Sequence, residues 1–210
     1  MAAGPIDLSR PAVEVAPDLL GAVLLHRTAE GVVGVRLTEV EAYLGLGEDP
    51  GSHAHRRRSP RNAPMFGAPG TVYAYFSYGM HTCVNLVCSP EGAASAVLLR
   101  AGEVVAGEEL ALLRRGPVRP RDLARGPARL AKALGVTLAE SGDPMTAAFE
   151  LLPPDAPVAI EVSARTGVSG EGGGDEYPWR FSITGDPTVS PYRRAVARRR
   201  LPPGGAQPAR

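Results

Sequence analysis

Between Val33 and Leu44 the chain alternates so regularly that it reads as an extended strand. Val33, Val35, Leu37, Glu39, Glu41 and Tyr43 then share one face, and Arg36, Thr38, Val40 and Ala42 the other. A face that opens apolar and closes on two carboxylates and a tyrosine is odd for a strand buried throughout. It suits a strand that leaves a core and enters a pocket.

The segments around this strand predict what it pairs with. Asp18 to Leu25 reads as a helical turn running into an apolar strand, and Leu46 to Gly70 as a long ordered loop rich in Gly, Pro, Ser and Arg. Loops of that length in a compact domain are usually functional or disordered. Thr71–Phe76 and Thr82–Val87 form a hairpin, with Gly79 supplying the positive φ its turn needs. Centring the hairpin on Met80 sets Tyr75 opposite Asn85 and puts Tyr73, Tyr75, Cys83 and Asn85 on one face. Ala96–Arg100 is a further strand, and Val104–Arg115 a helix with a weak start at Gly107. Gly126-Pro127 opens a second helix that runs to Leu134, with Gly135 as its cap. Val158–Thr166 and Trp179–Ile183 are strands flanking a glycine-rich, flexible loop, Gly167 to Tyr177. Strands with local turns, and helices that do not alternate with them, predict an α+β fold. We expect one domain, residues 1–190, with a curved, mostly antiparallel sheet, flanking helices and a protruding β-hairpin. Residues 191–210 are expected to be a basic, disordered tail.

Composition narrows the class. The chain has 210 residues, 44% of them hydrophobic, enough for one sizeable core. No apolar run reaches the roughly 18 residues of a membrane span, and the N-terminus lacks a secretory pattern. A bacterial cytoplasmic home is expected, where Cys83 and Cys88 stay reduced as small core residues. The formal net charge is only +1, yet Arg56, Arg57, Arg58 and Arg61 crowd one loop with no acid among them. Five further arginines lie between Arg193 and Arg200. Two basic patches on a near-neutral chain fit local phosphate contacts better than a surface given wholly to nucleic acid.

Three constellations carry chemistry. Glu39 and Glu41 lie two apart on a strand, and a carboxylate there can take a proton from water and face a developing cation. Glu39, Asp49, His53 and His55 are alternatively the ingredients of a metal-dependent hydrolase, although four neighbouring arginines would repel a dication. Tyr73, Tyr75 and Asn85 form a face suited to a planar ligand, or to ordinary core packing. Acid, cations and aromatic faces within fifty residues point to an enzyme working on a nucleobase. A non-catalytic binder of damaged or bent DNA would use the same hairpin and arginines.

These residues also fall into a known pattern. Thr38-Glu-Val-Glu41-Ala-Tyr43-Leu, Ser59-Pro-Arg-Asn62, Met65-Phe66, Pro69-Gly70, Tyr73-Ala-Tyr75-Phe-Ser-Tyr78-Gly-Met80 and Asn85 resemble the alkyladenine (3-methyladenine) DNA glycosylase family. So do Val97-Leu-Leu-Arg100-Ala, Gly126-Pro127, Pro178-Trp-Arg-Phe181 and Val189-Ser190. The resemblance runs in order from about Leu19 to Ser190. It implies a monofunctional enzyme of base-excision repair that releases alkylated or deaminated purines, 3-methyladenine foremost and hypoxanthine as a candidate, from flipped-out nucleotides. By resemblance, Glu41 activates water and Arg100 supports it. Tyr43, His53 and Tyr75 hold the base, with His55 the alternative to His53, and Asn85 screens against guanine. Tyr78 and Met80 fill the gap left in the duplex. The expected partner is double-stranded DNA carrying a damaged purine, bound by a monomer. No cofactor motif is present, and none is expected.

Overall fold

In the computed structural model the described residues are 4–77, 79–145 and 148–195. Within them nine strands form one sheet: β1 (Val23–Thr28), β2 (Gly31–Tyr43), β3 (Val72–Ser77), β4 (His81–Val87), β5 (Ala96–Ala106), β6 (Ala124–Arg125), β7 (Phe149–Leu152), β8 (Ile160–Ser163) and β9 (Arg180–Ile183). Every pairing is antiparallel. The order along the sheet is β3-β4-β5-β2-β1-β7, with β6 beside β5, β9 beside β2 and β8 beside β9. Three helices accompany it: α1 (Ala12–Asp18), α2 (Glu108–Arg115) and α3 (Pro127–Leu134). The predicted α+β class with a mostly antiparallel sheet is the observed one.

The sheet branches at β2. Its first half pairs with β1, while Glu39, Val40 and Glu41 pair with β9 on that same side and with β5 on the other. Both glutamates are therefore fixed by backbone on two flanks, in the middle of the sheet.

The predicted single face from Val33 to Tyr43 breaks in the middle. Leu37 faces Gly102 and Glu39 faces Ala101, so Thr38 is an extra residue on β2; Val40 then faces Leu99, so Arg100 is an extra residue on β5. These two β-bulges reverse which side each strand shows. Val33, Val35 and Leu37 lie in the main apolar core, and so do Val40 and Ala42, of opposite parity. Without the reversal Glu39 and Glu41 would enter that core unpaired, at several kcal/mol each. A disrupted ladder bond costs only about 1 kcal/mol. The bulge wins, and it turns the carboxylates and Tyr43 to the opposite face.

The core side is closed by α1, through Val15 and Ala16, and by α3, through Leu130 and Leu134. α3 begins and ends as predicted, with Pro127 at its first position and Gly135 at φ 80°. α1 ends at Asp18 rather than beginning there: Pro11 opens it, and Pro17 fits in its last turn. β5 continues through Ala106 where a helix was expected, because Val104 and Ala106 still pair with β2. The helix waits for Gly107, whose φ is 69° and whose place a Cβ could not take without striking the Val32 carbonyl. β7 was not anticipated, and the strand expected over Val158–Thr166 is only Ile160–Ser163.

Candidate active site

The bulged face of β2 meets the β3–β4 hairpin and the loops 50–66 and 166–169 around a cavity of about 730 Å³. Its wall includes Tyr43, His53, Tyr73, Tyr75, Asn85, Leu98 and Arg100. Behind that wall lies a layer of buried ions. Glu39 accepts from Arg100 Nε at 2.8 Å, from Arg180 Nε at 2.7 Å and from the Ser190 N–H at 2.8 Å. Burial pushes the Glu39 carboxyl up, but Arg100 and Arg180 outweigh this and hold it below its ordinary value. Burial likewise opposes the charge of Arg100, and Glu41 and Glu39 raise its pKa nonetheless.

Glu41 is also fully buried, yet its neighbours differ. Its Oε1 accepts the Thr166 N–H at 2.6 Å; its Oε2 accepts the Tyr43 hydroxyl at 2.8 Å and Arg100 Nη1 at 3.3 Å. All three donors belong to residues that line the cavity. The two glutamates thus separate: Glu39 anchors arginines, and Glu41 stands directly behind the cavity wall.

Tyr43 is held in turn. The guanidinium of Arg165 lies 4.5 Å from its ring centroid, within reach of Trp179 at 5.1 Å as well. Arg165 is itself fixed by Asp49 through two 2.6 Å bonds and by the carbonyls of Ala42 and Gly172. This order in the glycine-rich loop was not predicted. It also removes Asp49 from any metal set: both its oxygens are taken by Arg165 and by the N–H groups of Leu44 and Gly51. With Glu39 bound by two arginines, the proposed hydrolase quartet does not assemble. Among the described residues no three His, Cys, Asp or Glu side chains gather as a metal site.

The hairpin register differs from expectation by two residues. Tyr73 faces Asn85 and Tyr75 faces Cys83, so the turn is centred on Gly79, with φ 68°, rather than Met80. A shift of two preserves the faces, and Tyr73, Tyr75, Cys83 and Asn85 do share the cavity wall. Cys83 is buried, as expected, and also borders the cavity. Asn85 spends its amide on the Tyr73 carbonyl at 2.9 Å. Tyr73 and Tyr75 lie 5.5 Å apart, tilted by 35°, and His53 meets the Tyr75 ring edge-on at 4.7 Å. Burial raises all three phenol pKa values, that of Tyr73 to about 12, with Glu41 adding to the rise at Tyr43. The rings stay neutral and electron-rich. His53 Nδ1 lies 3.1 Å from the Tyr73 hydroxyl; the residue keeps an exposed edge, but partial desolvation, then the Arg61 charge, lowers its pKa.

His55 instead lines a smaller cavity of about 280 Å³ beside the first, with Arg56, Arg57 and Ser59. The four loop arginines divide. All four are exposed, but Arg58 also lies over the Phe66 ring at 5.4 Å and Arg61 reaches the Phe76 carbonyl and the Tyr75 ring, whereas Arg56 and Arg57 make no such contact among the described residues. Asn62 shapes this loop, donating to the carbonyls of His53 and Arg57 and accepting the Ser59 N–H. Met80 stands 67% exposed at the hairpin tip; Tyr78 lies outside the described residues. Sequence reasoning missed Arg165, Arg180 and Thr166. The available signal was a lone arginine in each of the two expected strand segments, Arg165 in 158–166 and Arg180 in 179–183, although β8 itself ends at Ser163.

Comparison with known proteins places the chain in a family. The sequence model of the methylpurine-DNA glycosylase family matches residues 6–187. A protein of Leifsonia xyli subsp. xyli, provisionally named a 3-methyladenine DNA glycosylase, is 56% identical over 88% of this chain and 90% of its own length. Relatives given the same provisional name in Streptomyces avermitilis and Cutibacterium acnes are 54% and 50% identical, over 91% and 88% of this chain and 92% and 97% of their own lengths. With such coverage, the chain belongs to the methylpurine-DNA glycosylase family and is a DNA glycosylase.

Proposed function

We propose that this enzyme releases 3-methyladenine and related alkylated purines from duplex DNA by hydrolysis, leaving an abasic site. The observation that carries the reading is Glu41, gripped by three donors from the wall of a tyrosine-lined cavity. In the proposed step a water oxygen bonds to the sugar C1′ and gives its proton to Glu41. The C1′–N bond breaks, and its electron pair leaves with the purine. A methylated, cationic purine departs neutral and needs no acid. Arg100 holds the Glu41 carboxylate and the water in line.

The target base must first leave the stack, which costs a few kcal/mol. Stacking on aromatic faces returns roughly 1–3 kcal/mol per base, and a cationic purine gains more from the tyrosine quadrupoles. Tyr43, Tyr75 and His53 are the proposed base contacts, with Asn85 screening the purine edge. Tyr78 and Met80 are the proposed wedge, and the exposure of Met80 supports that role. Arg56 and Arg57 are the phosphate contacts we retain.

Neutral purines are the poorer class. No carboxyl group lines the cavity among the described residues, and His53 on its wall, with a pKa below 6.5, is mostly unprotonated near pH 7, so hypoxanthine has no evident strong proton donor as it leaves. Missing general-acid assistance is worth about 100-fold or more. Base release from duplexes carrying one methylpurine or one hypoxanthine, run in EDTA, tests the reading. It predicts methylpurine release and alkali-labile sites, with hypoxanthine at least about 100-fold slower. Binding without release, or activity that EDTA abolishes, would overturn it.

A further inference from the structure

The basic segment after Ser190 does not leave the fold where the family resemblance ends. Val189 O accepts Arg125 Nε at 2.9 Å, and Ser190 bonds Glu39 through its N–H and Arg180 through its carbonyl. Tyr192 lies 5.9 Å from the Arg180 guanidinium. The Arg193 carbonyl then accepts the N–H of Gly167 at 2.9 Å. Gly167 follows Thr166, whose own N–H holds Glu41. Residue by residue, this strap is tied to the ionic layer behind the cavity, and it brings Arg193 to the cavity rim.

We infer that Arg193 is a phosphate-binding residue, gripping the DNA backbone beside the extruded nucleotide. The inference rests on the proposed function. Arg193 is exposed, its backbone is fixed, and no carboxylate lines the cavity beside it among the described residues. An exposed guanidinium at a cavity whose other charged wall residues, Arg61 and Arg100, are also cations has little to attract there except the anionic chain that carries the base. Arg61 lines the same cavity, but its guanidinium is engaged with the Phe76 carbonyl and lies over Tyr75. Pro127, at the first turn of α3, lines the cavity too, and no side chain caps that turn. The helix end alone would not make a site, but it adds positive potential where Arg193 stands.

The test compares the full-length chain with R193A and R194A. Duplex binding, read by fluorescence anisotropy across a salt series, should show R193A with a log–log slope shallower by about 0.9 and affinity lowered about eightfold at 0.1 M salt. R194A should keep most of the parent slope. Inhibition of base release by free 3-methyladenine should be unchanged in R193A, since the free base carries no phosphate. An unchanged slope in R193A, or equal losses in R193A and R194A, would overturn the assignment. So would weaker inhibition by the free base, which would place Arg193 on the purine. If the parent released no methylpurine, the functional reading would fail while the binding series still decided Arg193. An unaltered melting midpoint in R193A keeps the comparison free of misfolding.

Discussion

Replacing Glu39 by glutamine isolates the ionic layer from the chemistry in front of it. Glu39 is fully buried, and its two oxygens take three N–H bonds at 2.7–2.8 Å. Glu39 and Glu41 balance Arg100 and Arg180, so Glu39→Gln leaves one uncompensated positive charge out of water. Removing one partner of a buried ion pair costs about 3–5 kcal/mol. The amide keeps one acceptor, which favours the lower figure, about 3 kcal/mol. In a chain of this size each 1 kcal/mol shifts the midpoint by about 2–4 °C, so the loss should be about 6–12 °C. Adding Arg180→Met removes the excess charge, and the double variant should recover about 1–2 kcal/mol relative to additivity. The pH dependence has a definite sign. Because the folded-state carboxyl lies below its ordinary 4.5, its stabilisation is complete above that pH and fades as the pH falls through the folded value. The gap between parent and variant should therefore be widest above pH 4.5 and close in acid. Thermal unfolding followed by circular dichroism at several pH values reads all of this. A midpoint within 2 °C of the parent, or strict additivity in the double variant, would refute the charge-balance argument.

Two further outcomes follow from the site. His53, whose pKa lies below 6.5, is neutral near pH 7 and gains its charge on acidification, where it would repel a cationic purine. The half-saturating concentration of methylated duplex should rise as the pH falls below 6.5, and H53Q should flatten that limb; an identical limb in H53Q would contradict the placement. R56A and R57A should each reduce the salt slope of duplex binding by about 0.9, whereas R58A, already packed on Phe66, should do less. Equal effects of all three would mean the loop rearranges on DNA.

Much of the site was legible because its residues come from contiguous, strongly patterned segments. The strand carrying Glu41, the tyrosine hairpin and the Gly126-Pro127 helix start are local signals of period and turn chemistry. What was not legible depends on strand pairing. Bulges at Thr38 and Arg100 decide which face Glu41 shows, and no alternation within one strand reveals an extra residue set by its neighbour. The expected register was two residues out because it was centred on Met80, whereas the turn centres on Gly79, whose positive φ it uses. Asp49 looked like a metal ligand until Arg165, 116 residues away, supplied its partner. The order in the 167–177 loop comes from the same long-range pair.

The central claim is that Glu41 acts on water and not on DNA affinity. Single-turnover base release from a duplex holding one methylated purine, measured beside binding to that duplex, tests it most directly. Glu41→Gln keeps a side chain of the same shape behind the cavity wall, so duplex affinity should stay within about threefold of the parent while release falls by about 100-fold or more. Release at the parent rate, or a loss of binding that accounts for the whole effect, would contradict it.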